Sequence, residues 1–544
     1  MSNTSLQTHQ QRLFWGCFIA LITTAFGFIS RMFLIGAWAA EFGLDDAQAG
    51  RLAGIGIWPF AVSIILFSFF IDRIGYKVAM VCSFGGYLIW SVMGVSAYFI
   101  SGGGQGNPKL AYELLYWGSL ILGLSNGTVE AYINPVVTTL FSKNKSQWLN
   151  ILHAGWPGGL VVAGLLTIGL DFIQVEWWIK IAIIAPPAVV FFLMLLPEKF
   201  PVHERVASGV TYRQMLSEFG VLTALVVGTL LSLQLMDFFK PSGAAGYGAC
   251  IAVGVAFVAA FGVYTRSLGS PLLFFLTLIM MPLATTELGT DGWIEGILKG
   301  MAAGKFHPGL VLVYTAFVMM VLRFMAGAIV HKISPLGLLM VSSVLAVVGL
   351  VWLSRAEGLI IFGAATIYAV GKSFFWPTML GIASEQTPKG GALTLNTLGG
   401  VGMLAVGTLG FPYIGALQAN ERIDAVKSDQ SIVAAAPGLL DEKGELTVTE
   451  NRTIYEVIPY PAINDDALQA KLAALPAETG AQVAAEIKDV SDRSTQRALA
   501  KMAYFPGFML ACYLILWLYF KSKGGYRPRE LAPDADAAHP APEA

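Results

Sequence analysis

Apolar residues in this 544-residue chain gather into long runs, each long enough for a helix to cross a hydrocarbon layer of roughly 30 Å, which takes about 20 residues. That ruler fits fourteen times, at 13–40, 51–71, 78–100, 112–140, 148–171, 177–196, 219–239, 244–264, 271–297, 309–330, 336–354, 359–384, 391–417 and 504–521. A polar linker bearing Lys, Arg and His, 197–218, separates the first six runs from the rest. The pattern predicts an all-α membrane fold. A front six-helix bundle (1–196) is followed by the linker, two inserted helices (219–264) and a back bundle (265–417, completed by 504–522). Between the last two spans lies a polar stretch, 418–503, whose Ala, Glu, Lys and Gln suit a small helical cap or a solvated loop equally well. The tail after the last span, 523–544, ends in an Ala/Pro/Asp-rich segment of disordered type.

Composition turns the span pattern into a statement about solvent. With 56% apolar and only 13% charged residues, the chain has more apolar surface than a water-soluble core can hide, so a lipid bilayer is its expected partner. A net charge of −1 supplies no basic field for nucleic acid. Cys17, Cys82, Cys250 and Cys512 all fall within apolar runs, where a thiol acts as a small hydrophobe, so no disulfide framework, metal site or cofactor is implied. The polar start, Met1–Arg12, leads into the first span without a cleavage site and reads as a cytoplasmic tail. Arg73, Lys77, Lys143, Lys145, Lys199, Arg205, Arg213, Arg266, Lys332, Lys389 and the cluster Lys521–Arg529 share the N-terminal side, while Glu41, Asp45, Asp46, Glu113, Asp171, Glu176 and Glu357 fall opposite. By the positive-inside rule both termini are cytoplasmic and 418–501 lies outside, in what is expected to be a bacterial inner (plasma) membrane.

Between the second and third spans the chain reads Asp72-Arg73-Ile74-Gly75-Tyr76-Lys77. This resembles the signature loop of the major facilitator superfamily. The resemblance implies a carrier in which the Asp caps a neighbouring helix and the basic residues pair at the cytoplasmic gate, making Asp72, Arg73 and Lys77 gating residues. The family's usual Gly four before the Asp is Ser68 here. A decayed second copy stands at Arg323-Phe324-Met325-Ala326-Gly327 and His331-Lys332-Ile333-Ser334-Pro335, without the acid.

An internal repeat agrees with two related halves. Glu130-Ala131-Tyr132-Ile133-Asn134-Pro135 in the fourth span matches Lys372-Ser373-Phe374-Phe375-Trp376-Pro377 in the back half, each with a charge five before a proline. Leu149-Asn150 and Leu395-Asn396 then open corresponding spans, each followed by glycines that permit close helix approach. The stretch Gly123–Gly164 and the run Thr286-Glu287-Leu288-Gly289-Thr290-Asp291-Gly292-Trp293 are similar to the fucose–proton symporter branch of the superfamily. This chain departs from that branch in the first span, where Arg31 stands in place of a cavity acid. Fourteen spans are also found in proton-coupled peptide transporters, but their Glu-x-x-Glu-Arg signature is absent. By analogy with fourteen-span members, the inserted pair is expected outside the transport core.

Ionisable groups at mid-bilayer are costly, by about 2.5–3.5 kcal/mol on insertion scales, and face a partner or a wet cavity. Arg31, Glu130, Glu287 and Lys372 are such groups. Glu130 and Lys372, at equivalent positions, are expected to face each other, with Glu130 either coupling protons or forming a structural ion pair. Glu287, Asp291, Glu295 and Lys299 share one helical stripe, of which Glu287 is the cavity member and the others a solvated helix end. His153 lies on one face with Asn150 and titrates nearest neutral pH, either as a coupling group or as a packing residue. Trp156 and Trp376, each beside a proline, are candidate stacking faces for a sugar ring, with Asn134, Asn150 and Asn396 as hydrogen-bonding partners. Arg31 and Lys372 together suit a small anion instead. These residues predict a secondary carrier, not an enzyme, that moves a small polar solute by alternating access with protons. A sugar is the first expectation, an organic anion the second, and a non-transporting receptor using 418–501 the reading from another class.

Overall fold

The computed structural model describes residues 3–44, 46–292, 309–330, 332–454 and 458–531. The readings made on Asp45, Trp293, Glu295, Lys299, His331 and the tail beyond 531 lie outside them. Ten helices among the described residues are long and apolar enough to cross a membrane. The other four expected spans are helical too, but broken, short or carrying polar residues: the second is split into Asp46–Gly54 and Trp58–Ile74, the fourth is Pro108–Leu140, the tenth is Gly309–Phe324 with Ala326–Val330, and the twelfth is split into Ile360–Lys372 and Phe375–Gln386.

Local sequence sets where these helices begin. Asn107-Pro108, Ser270-Pro271 and Ser334-Pro335 each put a capping side chain before a proline at the first helical position, and the caps accept from the backbone N–H of Leu110, Leu273 and Gly337. Thr211 and Gln214 form a reciprocal capping box, which starts the first inserted helix (Tyr212–Phe239) earlier than its apolar run suggests. Between the second and third spans Gly75 takes φ 81°, a conformation open to glycine at little cost, and its N–H closes on Ile71. Leu66, Val92, Phe99, Leu165, Val255, Val263 and Leu518 stay exposed around the helices, an apolar belt suited to lipid.

The two bundles meet closely where glycines replace side chains. Cβ atoms built on Gly399 and Gly400 of the thirteenth span would lie 3.1 and 2.4 Å from Ile64 and Ile65 of the second. The first inserted helix is joined to the back bundle. It packs on the ninth and thirteenth spans, and its backbone meets the chain ahead of the ninth through Val221 N–H to Ser267 O and Leu222 N–H to Leu268 O, both 3.0 Å. The second inserted helix, Gly243–Thr265, packs chiefly on the first.

The thirteenth span runs past its expected end at 417, through a π-turn at Val406–Gly410, to Ser428. Beyond it the polar stretch folds into short helices and an antiparallel hairpin pairing Thr449 with Ile463 and Ile454 with Ile458. This unit has its own core, including Ile423, Val426, Ile432, Leu472, Val483 and Ile487. Gln496 fastens it to the loop between the eleventh and twelfth spans, donating to Leu353 O at 2.6 Å and Ala356 O at 2.7 Å. We call this the distal face. The opposite, terminal face carries the start and end of the described chain.

Candidate functional site

Three prolines explain the centre of the molecule. A proline has no N–H, so the carbonyl four residues earlier loses its helical partner. Pro135, Pro157 and Pro377 thereby free the carbonyls of Ala131, His153 and Ser373. Each is taken up by a polar side chain from another span: Asn396 Nδ2 donates to Ala131 O at 2.9 Å, and Arg323 donates from NH1 to His153 O at 2.8 Å and from Nε to Ser373 O at 2.6 Å. Asn396 and Arg323 belong to the back bundle, Ala131 and His153 to the front, so two of the three contacts join the halves. The repeated spacing of a charge five before a proline thus places a freed carbonyl immediately after each charge.

Arg323 is 1% exposed and also bridges Glu287, NH2 to Oε1 at 2.7 Å. The second carboxylate oxygen of Glu287 accepts from the Trp376 backbone N–H at 3.3 Å. Glu287 sits on a π-turn, Thr285–Gly289, a distortion common at functional sites. Lys372 forms an ion pair with Asp291 and lies 5.2 Å from the Tyr368 ring centroid. The expected pairing of Glu130 with Lys372 is therefore replaced by one within the back bundle, where the ninth and twelfth spans bring Asp291 and Lys372 into contact. Asp291, placed by its stripe in a solvated helix end, is buried.

Glu130 remains in the front bundle. Its Oε2 accepts from Asn134 Nδ2 at 2.5 Å and lies 4.0 Å from His153 Nε2. His153 Nε2 is 3.0 Å from Asn134 Oδ1, which assigns the ring proton to Nε2 as donor and completes a line from His153 through Asn134 to Glu130. Asn150 diverges from it, because the helix ends at Leu152. Its amide donates to Ser146 O and Thr378 Oγ1, at 2.8 and 3.3 Å.

Glu130, His153, Glu287 and Arg323 line one cavity with Trp156, Trp376 and aliphatic and Phe neighbours. At about 50 Å³ it holds a few waters, each needing at least about 10–15 Å³, and is far below the roughly 300–1,000 Å³ of ligand pockets. The cavity is narrow. Trp156 packs against Phe28 with ring centroids 5.6 Å apart. Among the other expected site residues, Asn150 and Asn396 join the bundles outside the cavity lining, and Asn396 also donates to Ser68 Oγ at 2.9 Å. Arg31 is not in the lining either. It lies against Gly56 at the break of the second span and donates to Leu52 O at 2.8 Å, so it does not join Lys372 in an anion site.

The terminal face is shut by a separate set. Asp72 Oδ2 takes Arg205 of the linker, NH2 at 2.5 Å and Nε at 3.1 Å. Arg205 also donates to Val210 O at 2.6 Å and packs on Gly391 of the back bundle. Asp72 thus engages the linker where capping of a neighbouring helix was expected. Lys145 pairs with Glu204 at 2.6 Å. Ser146 Oγ donates to Glu385 Oε1 at 2.5 Å, and Tyr526 donates to Glu385 Oε2 at 2.7 Å. Arg73 stands 4.3 Å over the Tyr212 ring, and Lys77 is exposed. His203 caps the linker helix by accepting from the Arg205 N–H at 3.1 Å. Burial, helped by Lys145 and Arg205 against Asp72, pushes its pKa down to about 4, which keeps the ring neutral as an acceptor.

Because Asp72 and Arg205 are both buried, Asp72→Asn strands a cation, and breaking such a pair costs about 3–5 kcal/mol. Even 1–2 kcal/mol of this reaching the local opening equilibrium raises the open population by about 5–30-fold. Tryptic cleavage at Arg205 should accelerate by at least about fivefold; an unchanged rate would show that the pair does not hold the linker down.

Sequence reasoning missed Arg323, Asp291, Arg205 and Glu385 as site members. Arg323 carried a visible signal, a guanidinium inside the apolar run 309–330, but it was absorbed into a loop motif.

Two six-helix bundles facing across a narrow, charge-bearing cavity, with a signature loop at one face, define a membrane carrier architecture. The sequence profile of the Major Facilitator Superfamily matches residues 17–412, and the chain belongs to that family. A search of curated proteins finds no match. Among solved structures it is similar to the proton:xylose symporter XylE bound to 6-bromo-6-deoxy-D-glucose (13% identity, TM-score 0.53, covering 75% of this chain and 89% of that one). It is similar also to the human organic anion transporter MFSD10 (12%, 0.50, 92% and 99%). The fucose transporter FucP in its outward conformation follows at 14% identity and TM-score 0.48, covering 74% and 91%. At these identities the likenesses describe the fold.

Proposed function

We propose that this protein is a secondary carrier that moves an uncharged polar ring, a sugar, by alternating access, and that Glu130 carries the coupled proton. The observation that supports this reading is the disposition of charge. Arg323 is matched by Glu287 and Lys372 by Asp291, so among the described residues the cavity lining has no cation without a carboxylate partner. Glu130, by contrast, has His153 as its one basic group within ion-pair distance among the described residues, an arrangement suited to gaining and losing a proton. Trp156 and Trp376 provide faces for a ring, and Glu130 and His153 line the same cavity as partners for hydroxyls, while Asn134 lies behind them and holds both. The xylose symporter among the similar folds agrees with a sugar; the organic anion transporter would require cations that here hold carboxylates or backbone carbonyls. The Lys/Arg asymmetry supports a cytoplasmic terminal face, and with that orientation the closed Asp72 gate corresponds to a carrier shut inward, with Ile57 and Phe411 on the outer wall of its site.

Counterflow in liposomes decides the substrate class. D-xylose, D-glucose and L-fucose should include an exchanged solute, whereas acetate, lactate and succinate should not exchange. Exchange of the carboxylates without the sugars would overturn the reading in favour of an anion carrier.

A further inference from the structure

Outside the central cavity, at the seam of the second and thirteenth spans, lies a hollow of about 720 Å³, within the range of about 300–1,000 Å³ seen for ligand pockets. One wall is the distal end of the first inserted helix, and Ile57 and Phe411 line both this hollow and the central cavity. They form the partition between the two. Gln234 of the inserted helix is 5% exposed, lines the hollow and makes no hydrogen bond among the described residues. Its amide is not among the unpartnered polar atoms sealed from solvent, so it opens on the hollow with two donors and an acceptor to offer.

Charge and shape narrow the ligand. Arg51, Lys240, Glu113 and Asp237 contribute two charges of each sign. Asp237 and Lys240 pair at 2.7 Å, and Glu113 accepts from Trp117 Nε1 at 3.1 Å. Among the described residues the lining of the hollow is therefore neutral overall. Trp58 meets Phe238 edge-on at 5.2 Å, and Tyr112 stacks with Tyr116 at 6.1 Å, leaving aromatic surface beside the amide. An uncharged ring with hydroxyls fits both features.

We propose that this hollow is a capture site, in which the inserted helix holds the sugar through Gln234 before it passes Ile57 and Phe411 into the central cavity. The proposal rests on the reading of the chain as a sugar carrier, and gives the inserted pair a role that a twelve-helix carrier lacks.

A thiol in the hollow tests it. A Cβ on Gly407 would lie 3.5 Å from Ile57 and 4.0 Å from Gln234 Oε1, and one on Gly54 meets nothing within 4 Å, so Gly407→Cys and Gly54→Cys are independent, sterically permitted probes. The full-length variants are placed in liposomes with D-xylose or D-glucose, labelled with an impermeant maleimide, and read at the peptide by mass spectrometry, with counterflow measured in parallel. At ten times the half-protecting concentration, labelling should slow by about tenfold. Protection should persist in Trp156→Ala, which disables the central cavity, and disappear in Gln234→Leu. Counterflow without protection, or protection lost with Trp156→Ala, overturns the capture site and leaves the carrier reading intact. Protection without counterflow supports the site and overturns the carrier reading. Absence of both overturns the two together.

Discussion

Glu130→Gln should abolish concentrative uptake while leaving exchange intact. The substitution keeps the shape of the side chain, and its amide oxygen can still accept the Asn134 Nδ2 proton that now reaches Glu130 Oε2 at 2.5 Å. The front bundle should therefore fold, and the ring partners Trp156 and Trp376 are untouched. What disappears is the capacity to bind and release a proton beside His153, 4.0 Å away. One pH unit is worth about 1.36 kcal/mol per proton, so an imposed gradient of about one unit, inside alkaline, should drive about tenfold accumulation in the parent protein at one proton per solute. The variant should stop at equal concentrations on the two sides and show no solute-driven proton uptake, while counterflow continues. Accumulation by the variant to the parent level would remove Glu130 as the coupling group and return it to a packing role.

The extent to which this site could be seen in advance depends on what a sequence encodes locally. Spans are legible because lipid imposes one length and one composition, and the helix starts follow from Asn, Ser or Thr caps and adjacent prolines. Glu130, His153, Glu287, Trp156 and Trp376 stand out for the same reason, as expensive or unusual groups at mid-span, and they do line one cavity. Their partners are a different matter. Whether Lys372 meets Glu130 or Asp291 depends on the rotation of the twelfth span about its axis and on its break at Ser373–Phe374, which no periodicity reports. The prolines offered a better signal than the charges. Each marks a carbonyl needing a donor from elsewhere, and an arginine or asparagine in an apolar run is the donor available. Arg323 and Asn396 answer that need, while Arg31 takes a carbonyl, Leu52 O, left by the break of the second span and not by a proline. Glu385 escaped notice because it sits near a helix end, where a charge is unremarkable in sequence, while its buried contacts with Ser146 and Tyr526 come from residues far along the chain.

Arg323→Ala should be the most destabilising single change in the transport core. The guanidinium satisfies three groups together: Glu287 at 2.7 Å, His153 O at 2.8 Å and Ser373 O at 2.6 Å. Its loss leaves a buried carboxylate held chiefly by the Trp376 N–H, at a cost of about 3–5 kcal/mol. It also strands two carbonyls that Pro157 and Pro377 have already deprived of helical partners, at about 1–3 kcal/mol each. The total rivals the roughly 5–15 kcal/mol by which folded proteins are stable, so the variant should melt far below the parent in detergent, followed by tryptophan fluorescence, or fail to accumulate as a folded species. Arg323→Lys should recover only part of the loss, because a single ammonium cannot span the directions that the planar fork reaches. Arg323→Ala with Glu287→Gln should also recover part, since it removes the stranded charge but not the orphaned carbonyls. A single Arg323→Ala variant melting within about 1 °C of the parent, a shift worth about 1 kcal/mol for a chain of this length, would show that the proline-freed carbonyls are satisfied by water. The two bundles would then be held together by the terminal-face contacts of Ser146, Glu385 and Arg205 instead.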